Sequence, residues 1–353
     1  MTDIISREIQ LISHPTGMPT LNNFALAQTK LEPLQAGQVL VRNLYISVDP
    51  YMRGRMNGGK SYVPPFELGQ PMTGSAVGEV VESRAEQLKT GDAVTSNYGW
   101  REYFIATPPE LHPVSRDIQP LSVHLGALGM TGLTAWAGLY LVDVKAEDVI
   151  FISGAAGAVG NVAGQLAKIR GCQVIGSAGS PEKVKFLKEE CGFVGEASLE
   201  ENRAFDYKTS PVIPVIEQLN LAAPDGIDVY FDNVGGEMLE AALSALRVNG
   251  RIIACGGISG YNAEIPQPGP SNLFNITTKR LTMKGLIVGD WLGCRAEFEQ
   301  VVGDYYRFGK AQATPTGKLK NKETVVVGID KAVSAFLGLF TGENIGKMVV
   351  KLE

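Results

Sequence analysis

The stretch Ser153-Gly154-Ala155-Ala156-Gly157-Ala158-Val159-Gly160 decides the fold. Ahead of it, DVIFIS (148–153) is a β-branched apolar run of strand length. Behind it, residues 161–170 place apolar side chains at 162, 163, 166, 167 and 169, one stripe of a helix. A glycine-rich turn between a strand and a helix is the phosphate-binding element of dinucleotide domains. The first glycine makes the tight turn, the second lets a diphosphate approach the backbone, and the third lets helix pack on strand. The helix start then presents free N–H groups and partial positive charge to the anion. The competing reading is a glycine-rich turn that binds nothing.

The position of the next carboxylate bears on which dinucleotide it takes. A site for NAD carries Asp or Glu about 20 residues on, where it holds the ribose 2′-hydroxyl. Here that position falls on Ser177-Ala178-Gly179-Ser180, with no carboxylate. Ser180-Pro181 instead reads as an N-cap followed by Pro at the first helical position. Lys183 follows in the first turn, where the helix dipole disfavours a cation. Small residues, a helix start and an ammonium suit a 2′-phosphate, so the expected cofactor is NADPH. The alternative for Lys183 is a solvated surface lysine.

Outward from this turn the strand–helix alternation continues. Strands are expected over 173–178, 227–232, 251–255 and 281–288, and helices over 126–142, 181–190, 237–246 and 294–308. Strands buried on both faces and alternating with helices argue a parallel doubly wound sheet. The first 120 or so residues differ. Short runs such as 39–44, 74–82 and 93–96 end in Gly, Pro or Asn, the mark of a β-rich module. The last forty residues return to strands at 324–327 and 347–352 around a helix at 332–340. Periodicity leaves open whether this tail stands alone or rejoins the β-rich module.

Composition narrows the function classes. With 353 residues, 44% hydrophobic and 20% charged, the chain has ample core material for about two domains. A net charge of −5 without a basic cluster speaks against a nucleic-acid partner. No run is long and apolar enough for a membrane span, and the first residues lack a secretory pattern, so a cytoplasmic location is expected. Cys172, Cys191, Cys255 and Cys294 form no CxxC pair, and His14, His112 and His124 are isolated. Neither a disulfide framework nor a zinc site is expected.

Seven motifs in order carry a resemblance to a known family. They are SVDPYMRGRM (47–56), GMTGLTA (129–135), GAAGAVGNVAGQLAK (154–168), AGSPEKVKFL (178–187), YFDNVGG (230–236), CGGISGYN (255–262) and ENIGKMVV (343–350). The chain resembles the medium-chain dehydrogenase/reductase superfamily. Within it, the chain is similar to the zinc-free branch of prostaglandin reductases, alkenal double-bond reductases and curcumin-reductase-like enzymes.

The resemblance implies an α/β protein with a GroES-like β-rich catalytic domain (1–125 with 316–353). A Rossmann-type doubly wound parallel sheet domain that binds NADPH (126–315) would be inserted in it. It implies that Gly157, Ala158, Val159 and Gly160 cradle the diphosphate, and that Lys183 and Tyr207 reach the 2′-phosphate. Asn233, the segment Cys255, Gly256, Gly257, Ile258, Ser259, Gly260 and Tyr261, then Leu286, Ile287, Val288 and Asn344, would line the ribose and nicotinamide.

The chain also departs from the family pattern. Thr131 stands where Pro is common, and the span from Gly192 to Tyr207 is several residues longer. DPYMR replaces a segment that holds a zinc-binding Cys in other relatives, and Gly69-Gln70-Pro71 replaces their GHE.

Reduction of a C=C bond conjugated to a carbonyl fits a site without metal. Hydride adds to the β-carbon, charge moves to the carbonyl oxygen, and one or two donors stabilise the enolate. Proton addition at the α-carbon follows from Tyr or water. Tyr261, in a glycine-rich loop past the fourth strand, is the first candidate donor, against a loop tyrosine that holds its own backbone. Tyr62, in KSYVPPF, is second and Tyr51 third, with Arg53 as a candidate structural ion-pair partner. Both tyrosines have ordinary packing as the alternative. Trp100 and Trp291 are candidates for an apolar wall, or for core.

The expected activity is therefore zinc-independent NADPH-dependent reduction of α,β-unsaturated ketones and aldehydes, with a small hydrophobic substrate. The rivals are an NADPH quinone oxidoreductase and a non-catalytic NADPH-binding sensor. An enoyl-thioester reductase is more distant, for want of a basic rim. A homodimer is expected from the family and from the apolar run 281–288.

Overall fold

The computed structural model describes residues 4–194, 203–209, 212–308, 310–311, 314–315 and 318–352. The extra residues expected after Gly192 lie largely outside this set, at 195–202, as do 316 and 317 at the expected return to the β-rich module. The chain forms two units, Met1–Gly126 with Glu323–Glu353, and Ala127–Lys322.

The first unit starts with a two-stranded antiparallel sheet, β1 (Ile5–Leu11) and β2 (Phe24–Lys30). Then come β3 (Val39–Ser47), the one-turn helix α1 (Met52–Arg55), β4 (Ala76–Ser83), β5 (Ala93–Ser96), β6 (Tyr103–Ala106) and β7 (His112–Pro113). In β3 the buried positions Val39, Leu40, Val41, Ile46 and Ser47 bracket partly exposed ones. That pattern suits a strand pairing with β4 on one side and with both β6 and, later, the last strand on the other.

The second unit runs α2 (Met130–Leu141), β8 (Val149–Ile152), α3 (Ala158–Ile169), β9 (Gln173–Ala178), α4 (Pro181–Glu189) and β10 (Ala204–Asp206). It continues through α5 (Val215–Ala222), β11 (Ile227–Asp232), α6 (Gly236–Ala245), β12 (Leu246–Ala254), α7 (Asn275–Thr278), β13 (Thr282–Gly285) and α8 (Arg295–Phe308). A small pair, β14 (Lys310–Ala311) and β15 (Thr314–Pro315), ends it. The parallel sheet has the order β10-β9-β8-β11-β12-β13. The order reverses between β8 and β11, and ligands of such sheets bind outside the carboxyl ends at that switch. Every residue of β8 is buried, as a central strand covered on both faces requires.

The chain re-enters the first unit as β16 (Glu323–Val327), α9 (Ala332–Thr341) and β17 (Lys347–Lys351). β17 lies between β16 and β3 in the large sheet. Phe336 of α9 packs edge-on against Trp100 at 6.0 Å. Trp100 is wholly buried beside Met52 and Met72, so it is a core residue and not a substrate wall.

Two expected elements are shorter in the structure. The helix expected over 126–142 begins at Met130, because the 126–129 stretch packs against it as a turn; a Cβ on Gly132 would meet the Ala127 oxygen at 1.9 Å. The strand expected over 281–288 stops at Gly285, because its partner β12 ends at Ala254. The chain then turns into the short 3₁₀ segment Val288–Cys294. Among the described residues, no helix is long and apolar enough to cross a membrane.

Candidate functional site

In the second unit the sequence-predicted residues gather at the carboxyl ends of the parallel strands. After β8, Gly154 takes φ +58°, which turns the chain at little steric cost. A Cβ on Gly160 would stand 2.5 Å from the Gly154 carbonyl oxygen and 2.8 Å from Ala155 Cα, so helix and turn touch only because Gly160 has none. Gly157 is the N-cap of α3 and offers no side-chain bond. The first-turn N–H groups at Ala158, Val159 and Gly160 therefore have no capping side chain, which suits an anion there.

One strand over, Ser180 caps α4 by accepting the Lys183 N–H at 3.3 Å. The parallel register Asp206↔Ala178 brings Tyr207 beside Gly179, where an added Cβ would stand 3.0 Å from the Tyr207 hydroxyl oxygen. Tyr207 thus reaches the same strand end as Lys183. Lys208, which the sequence reading passed over, lies 5.7 Å from the Tyr207 ring centre. Burial, with the Lys208 charge adding to it, lowers the Lys183 ammonium from its ordinary value. Two cations that repel each other at a half-buried helix start suit a dianionic phosphate.

At the switch, Asn233 joins the two central strands. Its N–H donates to Ser153 Oγ at 3.0 Å and its Nδ2 to the Ser153 carbonyl at 2.8 Å. The loop after β12 is tied to the loop after β11. Ser259 Oγ donates to the Val234 carbonyl at 2.6 Å, and the Ile258 N–H to the Asn233 carbonyl at 3.3 Å.

Tyr261 folds back over this loop, and its hydroxyl oxygen accepts the Gly257 N–H at 3.3 Å. It does hold its own backbone, yet the O–H remains a donor. Burial raises the phenol above its ordinary value, so it stays protonated at neutral pH. Burial and the nearby Asp232 charge push the Cys255 thiol up to about 12, which leaves it a neutral packing group. Leu286 is buried, and its N–H donates to the Ala254 carbonyl at 3.0 Å. Ile287 is exposed and Val288 opens the 3₁₀ segment. Trp291, in that segment, meets Trp136 edge-on at 6.4 Å.

In the first unit, the segment after β3 positions Tyr51 and Tyr62. Asp49 starts α1 by accepting the Met52 N–H on its carbonyl at 3.1 Å. Its buried carboxylate meets Ser47 Oγ and, at 3.1 Å, Lys347 Nζ. Arg53 is buried and donates to the Gly17 carbonyl at 2.9 and 3.2 Å and to Asn57 Oδ1 at 2.7 Å.

Arg55 is another residue that sequence reasoning missed. It donates to the Pro64 carbonyl at 2.9 Å, lies 4.1 Å from the Phe66 ring centre, and bonds the Tyr51 hydroxyl. Burial raises the Tyr51 phenol, Asp49 adds to this, and Arg55 pulls the other way. Tyr62 lies within the electrostatic reach of both and is 65% exposed. Asn344 turns its amide onto the Gly346 carbonyl at 2.7 Å.

The chain was compared with known proteins. A sequence profile described as the N-terminal domain of oxidoreductase matches residues 7–114, and one described as zinc-binding dehydrogenase matches 158–305. The chain is 40% identical over 357 residues to a 2-alkenal reductase (NADP(+)-dependent) of Nicotiana tabacum, covering 99% of this chain and 98% of the relative. It is 36% identical to the NADPH-dependent curcumin reductase of Escherichia coli (strain K12), covering 98% and 97%. Among solved structures, CurA in complex with NADPH from Vibrio vulnificus superposes with a TM-score of 0.87 at 36% identity, covering 98% and 99%.

Proposed function

This chain belongs to the zinc-free branch of the medium-chain dehydrogenase/reductase superfamily, and from that premise we propose that it reduces the C=C bond of α,β-unsaturated ketones and aldehydes with NADPH. The observation that carries the reading is the Tyr261 hydroxyl. It sits at the carboxyl edge of the sheet, protonated, with its oxygen already accepting an N–H and its own proton left to give. Accepting that N–H strengthens it as a donor.

NADPH, when bound, supplies the hydride that the β-carbon receives. The protein's part is to place the cofactor and to stabilise the oxygen on which charge develops. Gly157, Ala158, Val159 and Gly160 would hold the diphosphate, and Lys183, Tyr207 and Lys208 the 2′-phosphate. Asn233, the 255–261 loop, Leu286, Ile287, Val288 and Asn344 would line the ribose and nicotinamide. Tyr261 would donate to the enolate oxygen, and Tyr62 and Tyr51 are the further candidate donors. The zinc ligands of other relatives have no counterpart in 49–53 or at Gly69-Gln70-Pro71. Four unpaired cysteines suit a reducing cytoplasm. A homodimer is favoured by β13, a sheet-edge strand whose four residues are all exposed.

The test follows nicotinamide absorbance on purified protein with an aliphatic enal, an aryl enone, a quinone and a saturated ketone. Oxidation of NADPH by the enal or enone, insensitive to chelator and yielding the saturated carbonyl, is the expected result. Turnover of the quinone alone would replace the reading with a quinone oxidoreductase. Tight NADPH binding with no turnover would replace it with a sensor.

A further inference from the structure

Asp232 ends β11 at the point where the strand order turns. It is 3% exposed. Its Oδ1 accepts the Tyr230 hydroxyl at 2.7 Å, the Gly235 N–H at 2.7 Å and the Val234 N–H at 3.0 Å, with Ser153 Oγ at 3.5 Å. Its carbonyl oxygen accepts the Cys255 and Gly256 N–H groups at 2.9 and 3.0 Å. The residue therefore lies beneath both loops assigned above to the ribose and nicotinamide.

Burial raises its carboxyl above the ordinary value, and the hydrogen bonds that pull it back and favour the anion all come from neutral donors; among the described residues no cation faces it. Burying a carboxylate without a counter-charge is costly. The turn alone does not require the charge, because an Asn would accept the same two N–H groups and the same hydroxyl. A counter-charge supplied by the ligand resolves this. Oxidised nicotinamide carries a positive ring and reduced nicotinamide does not, while the phosphates are the same in both.

We propose that Asp232 is a fixed negative charge behind the nicotinamide end of the cofactor site, and that it strengthens NADP+ binding relative to NADPH. The proposal rests on the cofactor reading above and deepens it. Repulsion between Asp232 and the cofactor phosphates is common to the two redox forms and cancels in their ratio. A charge placed this way favours the oxidised cofactor, and so favours hydride leaving the reduced one.

The experiment measures the dissociation constants of NADP+ and NADPH separately by titration, without substrate. For Asp232→Asn the NADP+ constant should rise about tenfold while that of NADPH stays within about twofold, the size of one lost charge interaction at moderate separation. Tyr230→Phe removes a hydroxyl donor that helps hold the buried carboxylate ionised, so its NADP+ preference should shrink by about threefold. Equal weakening of both forms in Asp232→Asn would overturn the proposal and leave Asp232 as a turn anchor. If Asp232→Asn fails to fold, Tyr230→Phe decides: an unchanged or larger NADP+ preference overturns the proposal. Wild-type protein that binds neither form would sink the cofactor reading itself, a result distinct from binding both with an unchanged ratio.

Discussion

Two glycine-containing segments make opposite use of the same residue. In the 153–160 turn, Gly160 is where helix and loop touch, with 2.5 Å between its missing Cβ and the Gly154 oxygen. In the 57–66 loop, a Cβ on Gly59 would meet nothing within 4 Å, and Tyr62 is exposed. The first segment is set by packing along its length. The second is pinned near its ends, by Arg53 to Asn57 and by Arg55 to Pro64 and Phe66. The difference separates the tasks. On the proposed reading, a cofactor common to every turnover would meet a backbone already in place, whereas varied hydrophobic substrates would meet a tyrosine on an open loop.

The sharpest way to break the comparison is a pair of substitutions. Gly160→Val should weaken NADPH binding about 100-fold or more, since overpacking at a closed contact costs about 3 kcal/mol. Gly59→Ala should leave binding within twofold of wild type, as both titrations would read. Equal effects would mean the two glycines are not used differently.

Next in size is Tyr261→Phe, expected to lower kcat about 100-fold, as loss of one donor to a developing oxyanion does. Its NADPH dissociation constant should barely move, and a rate that persists would assign the donor elsewhere. Lys183→Ala sharpens the cofactor side. NADPH should bind about 30-fold more weakly, in line with loss of a charged hydrogen bond, and NADH should be unaffected. Equal losses for the two cofactors would remove Lys183 from the 2′-phosphate. The smallest effect is expected at the open loop. Tyr62→Phe should reduce kcat/KM for an enone only about threefold, the scale of one solvent-exposed hydrogen bond. A loss as large as that of Tyr261→Phe would show that Tyr62 is held far more tightly than its exposure indicates.

What could be read in the sequence divides along the same line. The turn at 153–160 was legible because strand, glycine spacing and helical stripe are all local. Lys183 was legible as a candidate because a cation in a first helical turn conflicts with the dipole. Lys208 was not, because its place beside Tyr207 depends on β10 pairing with β9. Asp232 was passed over for a related reason. YFDNVGG announces a turn after a strand, but the carboxylate's surroundings include Ser153, which only the pairing of β8 with β11 brings near. The expected strand over 281–288 ran too long because apolar character continues past the point where β12 stops offering partners. Trp100 stood open between substrate wall and core because an aromatic side chain gives no local sign of whether it faces a ligand or Phe336.

The place of β17 bears on how the protein is made. Four of its five residues are buried, and it fills the gap between β16 and β3 in the sheet of the first unit. On the ribosome β3 emerges some 300 residues before β17, and the whole of the second unit is synthesised in between. Domains fold as units in order of their appearance. Here that order inverts: the second unit has its complete sheet first, while the earlier-made β-rich unit waits with an open edge at the 45–47 end of β3. That edge is a template for wrong strand pairing until Val349 and Val350 arrive to close it. Aggregation during synthesis should therefore track the delay between the two units, and slowing translation through β16 and β17 would prolong the exposure.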